Sequence, residues 1–164
     1  MQTRMGLIRL PALPAPDAWR ARTFTEYVCG PRSSVTVRLG AAGLKPGDVA
    51  GLALSNTHHA WLGVERGSHG LTLTRFDEQT GEASRVLLTK PQVRLRAQCD
   101  FVDNTVRFSY SAHGKRYAVI GEPCSMGDLQ IASTGVRCSL FAYSTRAGAE
   151  GGHADFDSFL LTWP

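Results

Sequence analysis

The sequence predicts an all-β fold, an antiparallel two-sheet jelly-roll sandwich. Three observations carry this reading. Apolar and polar residues alternate at period two along most of the chain, helical spacing is almost absent, and turn residues interrupt the alternation about every 8–12 residues. With 17 glycines and 8 prolines in 164 residues, turn formers exceed their ordinary share. The length suits one domain with a sizeable core, so residues 1–164 read as a single sandwich.

Taken in order, strands fit 6–10 and 22–29. Val35, Val37 and Leu39 then alternate with Thr36 and Arg38. The turn Lys45-Pro46-Gly47-Asp48 leads into strands at 50–54 and 60–66. Leu71 and Leu73 alternate with Thr72 and Thr74, and Thr80-Gly81 marks the next turn. Val93, Leu95, Ala97, Cys99 and Phe101 share one face of a strand, with Arg94, Arg96, Gln98 and Asp100 on the other. Val106, Phe108 and Tyr110 likewise oppose Arg107, Ser109 and Ser111. Asp103-Asn104 separates those two runs at hairpin distance, and Ala112-His113-Gly114-Lys115 precedes Tyr117-Ala118-Val119-Ile120. Residues 93–120 therefore read as a three-strand meander, and strands at 136–143 and 156–163 complete the set.

The composition, 43% hydrophobic and 20% charged, is that of a folded globular chain and excludes disorder. The net charge of +4 comes almost wholly from arginine, since only Lys45, Lys90 and Lys115 are lysines. These charges are dispersed, with no five-residue basic run, which argues against nucleic acid as a partner. No apolar run approaches the roughly 18 residues a membrane helix needs. The four cysteines, Cys29, Cys99, Cys124 and Cys138, lack metal-ligand spacing, and Cys99 and Cys138 fall on inward strand positions. They read as free thiols, which together with a poor signal sequence point to the cytoplasm.

Gly6-Leu7-Ile8-Arg9-Leu10, Ala21-Arg22-Thr23, Ala50-Gly51-Leu52 followed by Ala60-Trp61-Leu62, and Val93-Arg94-Leu95-Arg96-Ala97 stand in that order along the chain. Phe108-Ser109-Tyr110-Ser111 through Gly114, Tyr117 and Ile120-Gly121, and finally Ala154-Asp155-Phe156-Asp157-Ser158-Phe159, follow them. Taken together, these stretches resemble the C-terminal sandwich module of glycoside hydrolase family 43, the β-xylosidases and α-L-arabinofuranosidases. His113 stands where the family has a turn aspartate, Tyr117 where it has tryptophan, and Phe141-Ala142-Tyr143 where it has a Phe-Thr-Gly run. The resemblance implies a concanavalin A-like fold and an accessory role. In that family a preceding propeller of some 300 residues carries the catalytic carboxylates, and this chain has no room for it.

Glycoside hydrolysis needs two carboxylates facing each other across a cleft. The candidate pairs here are Asp77-Glu78 beside a turn, Asp100 with Asp103 flanking a hairpin, and Asp155 with Asp157. The last two share one face of a strand, as an outward polar pair or as part of a Ca²⁺ site, the cation being suggested by analogy with other concanavalin-like folds. His69, His113 and His153 read as loop histidines, and no serine or cysteine sits in a nucleophile elbow.

Two binding surfaces are expected. If Leu62 and Val64 face the core, Trp61 faces outward near Asn56, His58 and His59, where an indole stacks on a sugar ring. A one-residue register slip would bury Trp61 instead. Arg94, Arg96 and Arg107, with Arg137, are expected on one outer face, either solvated or covered by a carboxylate-bearing partner. The expected function is a non-catalytic accessory module that packs against a glycosidase catalytic domain or shapes its pocket in xylan breakdown. No cofactor is required, with a structural Ca²⁺ at Asp155 and Asp157 left open. A lectin-like module binding oligosaccharide and a small sandwich hydrolase are the competing readings, and self-association stays open.

Overall fold

The computed structural model describes residues 1–18, 20–127, 135–146 and 151–164. Its strands are β1 (Gln2–Met5), β2 (Ile8–Pro11), β3 (Leu13–Pro14), β4 (Arg22–Tyr27), β5 (Arg32–Gly40), β6 (Asp48–Ser55), β7 (His59–Arg66) and β8 (Leu71–Asp77). They continue with β9 (Glu82–Leu88), β10 (Gln92–Asp100), β11 (Thr105–Ser111), β12 (Ala118–Val119), β13 (Cys124–Ser125), β14 (Arg137–Ser144) and β15 (His153–Thr162). Among the described residues no helix is long and apolar enough to cross a membrane.

The strands form two sheets packed face to face, the sandwich expected from the alternation. One sheet runs β1-β15-β5-β10-β11-β12, with β2 also on β15 and β13 also on β11. The other runs β3-β14-β6-β7-β8-β9, with β4 also on β14. The meander appears as read, β10 to β11 to β12, all antiparallel. One pairing departs from the antiparallel rule: Tyr143 and Ser144 of β14 run parallel to Leu13 and Pro14 of β3. Strands β1 and β9 were not anticipated. β9, Glu-Ala-Ser-Arg-Val-Leu-Leu, is an edge strand whose apolar residues do not alternate cleanly.

Between the sheets lies one core. Val35, Val37 and Leu39 of β5 and Val93, Leu95, Ala97 and Cys99 of β10 meet Ala50, Leu52 and Leu54 of β6 and Leu62 and Val64 of β7. Phe108, Phe156 and Phe159 fill its width. Each such side chain contributes about 1.5–3 kcal/mol on leaving water. The four cysteines are free. Burial pushes the Cys138 thiol up to about 12 and Cys124 to about 11, so neither is a thiolate near neutrality.

Strand β8 shows what periodicity does not foresee. The inward face begun by Leu71 and Leu73 continues into Arg75 and Asp77, both buried. An Arg75 guanidinium N–H donates to the Glu122 carbonyl, pinning the segment after β12 to β8. Gly121, at φ +70°, lies against the same side chain, where a Cβ would meet Arg75 Nε at 2.8 Å.

A second apolar cluster covers the far side of the β14-β6-β7-β8 sheet. Val49, Ala53, Trp61, Phe141 and Tyr143 pack there under Ala18, with Phe76, Ala15 and Ala21 at the margin. The sheet is therefore buried on both faces. This explains why β6 and β14 are almost uninterruptedly apolar where a half-buried strand would alternate.

Candidate functional site: the arginine face

The outer face of the larger sheet is polar, and the register across it sets out the site. Gln2, Thr162, Ser34, Gln98 and Arg107 form one row over five strands. Two steps along, Arg4, Leu160, Thr36, Arg96 and Ser109 form the next. Asp157, Arg38, Arg94 and Ser111 follow, and Arg9 pairs with Asp155 beyond them. Arg94, Arg96 and Arg107 thus share one face, as the alternation predicted.

Arg137 does not join them. It lies on β14 in the opposite sheet, paired with Ser55 and Tyr27, its guanidinium 5.9 Å from the Tyr27 ring centre. Which sheet a strand enters is a tertiary matter that alternation alone does not carry.

The carboxylates of this face are held by arginine. Arg9 donates from Nε to Asp155 Oδ1 at 2.7 Å and from Nη2 to Asp155 Oδ2 at 3.0 Å. Arg38 grips Asp157 in the same two-pronged way, with Nε to Oδ1 at 2.8 Å and Nη2 to Oδ2. Both oxygens of each carboxylate are engaged by a guanidinium, so Asp155 and Asp157 are not free ligands here. Nor are they a free acid–base pair. Among the described residues no cluster of three or more His, Cys, Asp or Glu is placed to hold a metal.

Hydrogen bonds from Arg9 hold Asp155 below the usual carboxylate range, and those from Arg38 do the same for Asp157. The folded carboxylates therefore keep their charge to lower pH than in the unfolded chain. Each pair stabilises above the unfolded value of about 3.9, and that contribution disappears as pH falls through the lower folded value. Asp157→Asn is accordingly expected to be less stable than wild type at pH 7, by about 1 kcal/mol or less for so exposed a pair. The gap should close as pH falls below the ordinary carboxylate range, which urea melts at several pH values would show.

Three of the seven arginines on this face have carboxylate partners: Arg9, Arg38 and, through Asp100, Arg32. The other four, Arg4, Arg94, Arg96 and Arg107, have no carboxylate within 4.0 Å among the described residues. Arg96 finds other company, with Nε donating to Ser109 Oγ at 2.9 Å and its guanidinium 4.1 Å over the Tyr117 ring. Arg94 lies along the hairpin turn, where a Cβ on Gly114 would meet its Nε at 2.7 Å.

The proposed sugar platform is dispersed. Leu62 and Val64 do face the core and Trp61 does point the other way, so the register was read correctly. The exposure was not. Trp61 is only 7% exposed, its ring 5.6 Å from Phe141 and 5.8 Å from Phe76. His59 opens β7 on the same face as Trp61, while Asn56 and His58 border a cavity of only about 10 Å³ beside Val106, Met126 and Val136. No stacking platform results.

Two sheets packed face to face in this order form a concanavalin A-like sandwich module. Residues 1–162 match the family described as the beta-xylosidase C-terminal concanavalin A-like domain. The chain belongs to that family. No curated protein matches the sequence. Among solved structures, a bifunctional GH43-CE protein of Bacteroides eggerthii is 28% identical over 97% of this chain, with a TM-score of 0.85. An engineered GH43 glycoside hydrolase with endo-xylanase and exo-arabinofuranosidase activity is 22% identical over 99%, with a TM-score of 0.84. The chain spans 21% and 36% of those two proteins. It also superposes on a functionally unknown protein of Saccharomyces cerevisiae at 15% identity and a TM-score of 0.70. There the match spans all of this chain and 96% of the other, so the fold also makes up nearly the whole of a chain.

Proposed function

We propose that this module packs against the catalytic domain of a family 43-type glycosidase acting on xylan or arabinoxylan, and helps to shape its substrate pocket. The observation that carries the reading is the family match over residues 1–162, joined to an outer face on which guanidinium groups outnumber carboxylates. Like charges side by side on a sheet repel, and an acidic partner surface relieves that repulsion. Arg94 is the central group of this docking face, because Arg38 beside it is already matched by Asp157.

The partner is a carboxylate-bearing surface, so association should weaken as salt rises. Arg94→Glu is expected to raise the Kd for a separately expressed catalytic domain by about tenfold, within the range of interfacial charge pairs. An unchanged Kd would remove Arg94 from the interface. The isolated module is expected to show no turnover of nitrophenyl glycosides.

A further inference from the structure

One end of the arginine face is hollow. Next to the row Thr162–Ser34–Gln98–Arg107 lies an open cavity of about 570 Å³, within the usual range for small-ligand sites. Its floor is largely polar, with Ser34, Gln98 and Arg107 from one row and Arg32, Asp100 and Thr105 from the next; Arg32 neutralises Asp100, and Asp103 borders the far side. Trp163 stands at the margin, packed in part on the core.

The floor has hydrogen-bonding capacity that the protein does not use. The side chains of Ser34, Gln98 and Arg107 make no hydrogen bond or ion pair to any described residue, whereas Arg32 is matched by Asp100 at 3.1 Å. Gln98 offers an amide donor and acceptor, Ser34 a hydroxyl, and Arg107 an unmatched planar fork. A hydroxyl and an amide in line suit a sugar's hydroxyl groups. The guanidinium suits a carboxylate, which it takes by two parallel hydrogen bonds.

We infer that this cavity is a binding site for an oligosaccharide bearing a carboxylate, a uronic-acid-substituted glycan, with Arg107 holding the acid and Gln98 and Ser34 the neighbouring hydroxyls. The site is separate from the docking surface around Arg94, which lies four residues along β10 from Gln98, or about 13 Å. A concave site of this size fits a small ligand better than the flat contact a protein carboxylate would need.

Isothermal titration of the chain tests the assignment with two probes, a glucuronic-acid-substituted xylo-oligosaccharide and the unsubstituted oligosaccharide of equal length. The acidic probe should bind about tenfold or more tightly than the neutral one, the range expected of a charge-assisted pair. Arg107→Ala should abolish that difference, Arg107→Lys should restore part of it, and Gln98→Ala should weaken both probes. Arg107 is exposed, so the melting temperature of its variants should stay at the wild-type value. The inference fails if neither probe gives heat, if Arg107→Ala binds the acidic probe unchanged, or if free glucuronate binds as well as the oligosaccharide. It fails as well if Arg107→Ala releases a catalytic domain while the sugar titration is silent, since the cavity would then serve a protein carboxylate.

Discussion

Gly51→Ala is expected to destabilise the chain by about 4 kcal/mol or more, enough to prevent folding in a domain of ordinary stability. Gly51 and Gly63 face each other across β6 and β7. A Cβ on Gly51 would lie 2.2 Å from the Leu62 carbonyl oxygen and 2.4 Å from the Gly63 Cα. Those atoms are backbone in the middle of a hydrogen-bonded sheet, so no rotamer change relieves the overlap. The strands would have to part, and β14 and β8 pack on either side of them. Gly63→Ala meets the Ala50 carbonyl oxygen at 2.5 Å and should be similarly severe. Soluble yield and urea unfolding measure both. A Gly51→Ala chain within about 1 kcal/mol of wild type would mean that β6 and β7 can separate here.

Trp61→Ala is expected to cost about 3–5 kcal/mol, the range for removing a buried aromatic side chain. Trp61 holds together Phe76, Phe141 and the cover provided by Ala18, so its loss opens a cavity under that cover. Titration with neutral xylo-oligosaccharides should be the same as for wild type wherever the variant remains folded. A stable variant that loses sugar binding would restore the stacking platform and overturn the structural role. The two predictions concern one surface. The glycine pair and the indole lie on the side of the sheet that faces away from the main core.

Much of the sandwich was legible because its strands are half-buried. Strands β5, β10 and β11 alternate, and their inward and outward faces are where the alternation put them. Turn residues located the joints, as with Gly47 at φ +93° in the crossing from β5 to β6 and Gly81 at φ +73° in the β8–β9 hairpin. Legibility failed where a strand was buried on both faces or paired at an edge. Trp61 points away from the main core, as read, yet is covered by a segment distant along the chain. Arg137 opens β14, and nothing local says which sheet receives that strand.

Of the candidate site, the arginines of β10 and β11 were visible, and their partners were not. Arg38 and Asp157 are 119 residues apart, and Arg9 and Asp155 are 146 apart. Their encounter depends on β15 threading between β5 and the amino-terminal strands. That Asp155 and Asp157 share one face was legible in local geometry, and that an arginine holds each of them was not. Ser34, Gln98 and Arg107 were likewise each on an outward position of their own strand, and only the register joined them into one row.

The sequence by itself determined the class of fold, the family and the outward direction of Arg94, Arg96 and Arg107. Period-two alternation and turn chemistry act over a few residues, so they can be read along the chain. The tertiary structure decided which charges are matched, which aromatic residues are covered and where a cavity opens. These depend on contacts between strands from tens to more than a hundred residues apart, and on a second layer of packing that leaves no periodic trace.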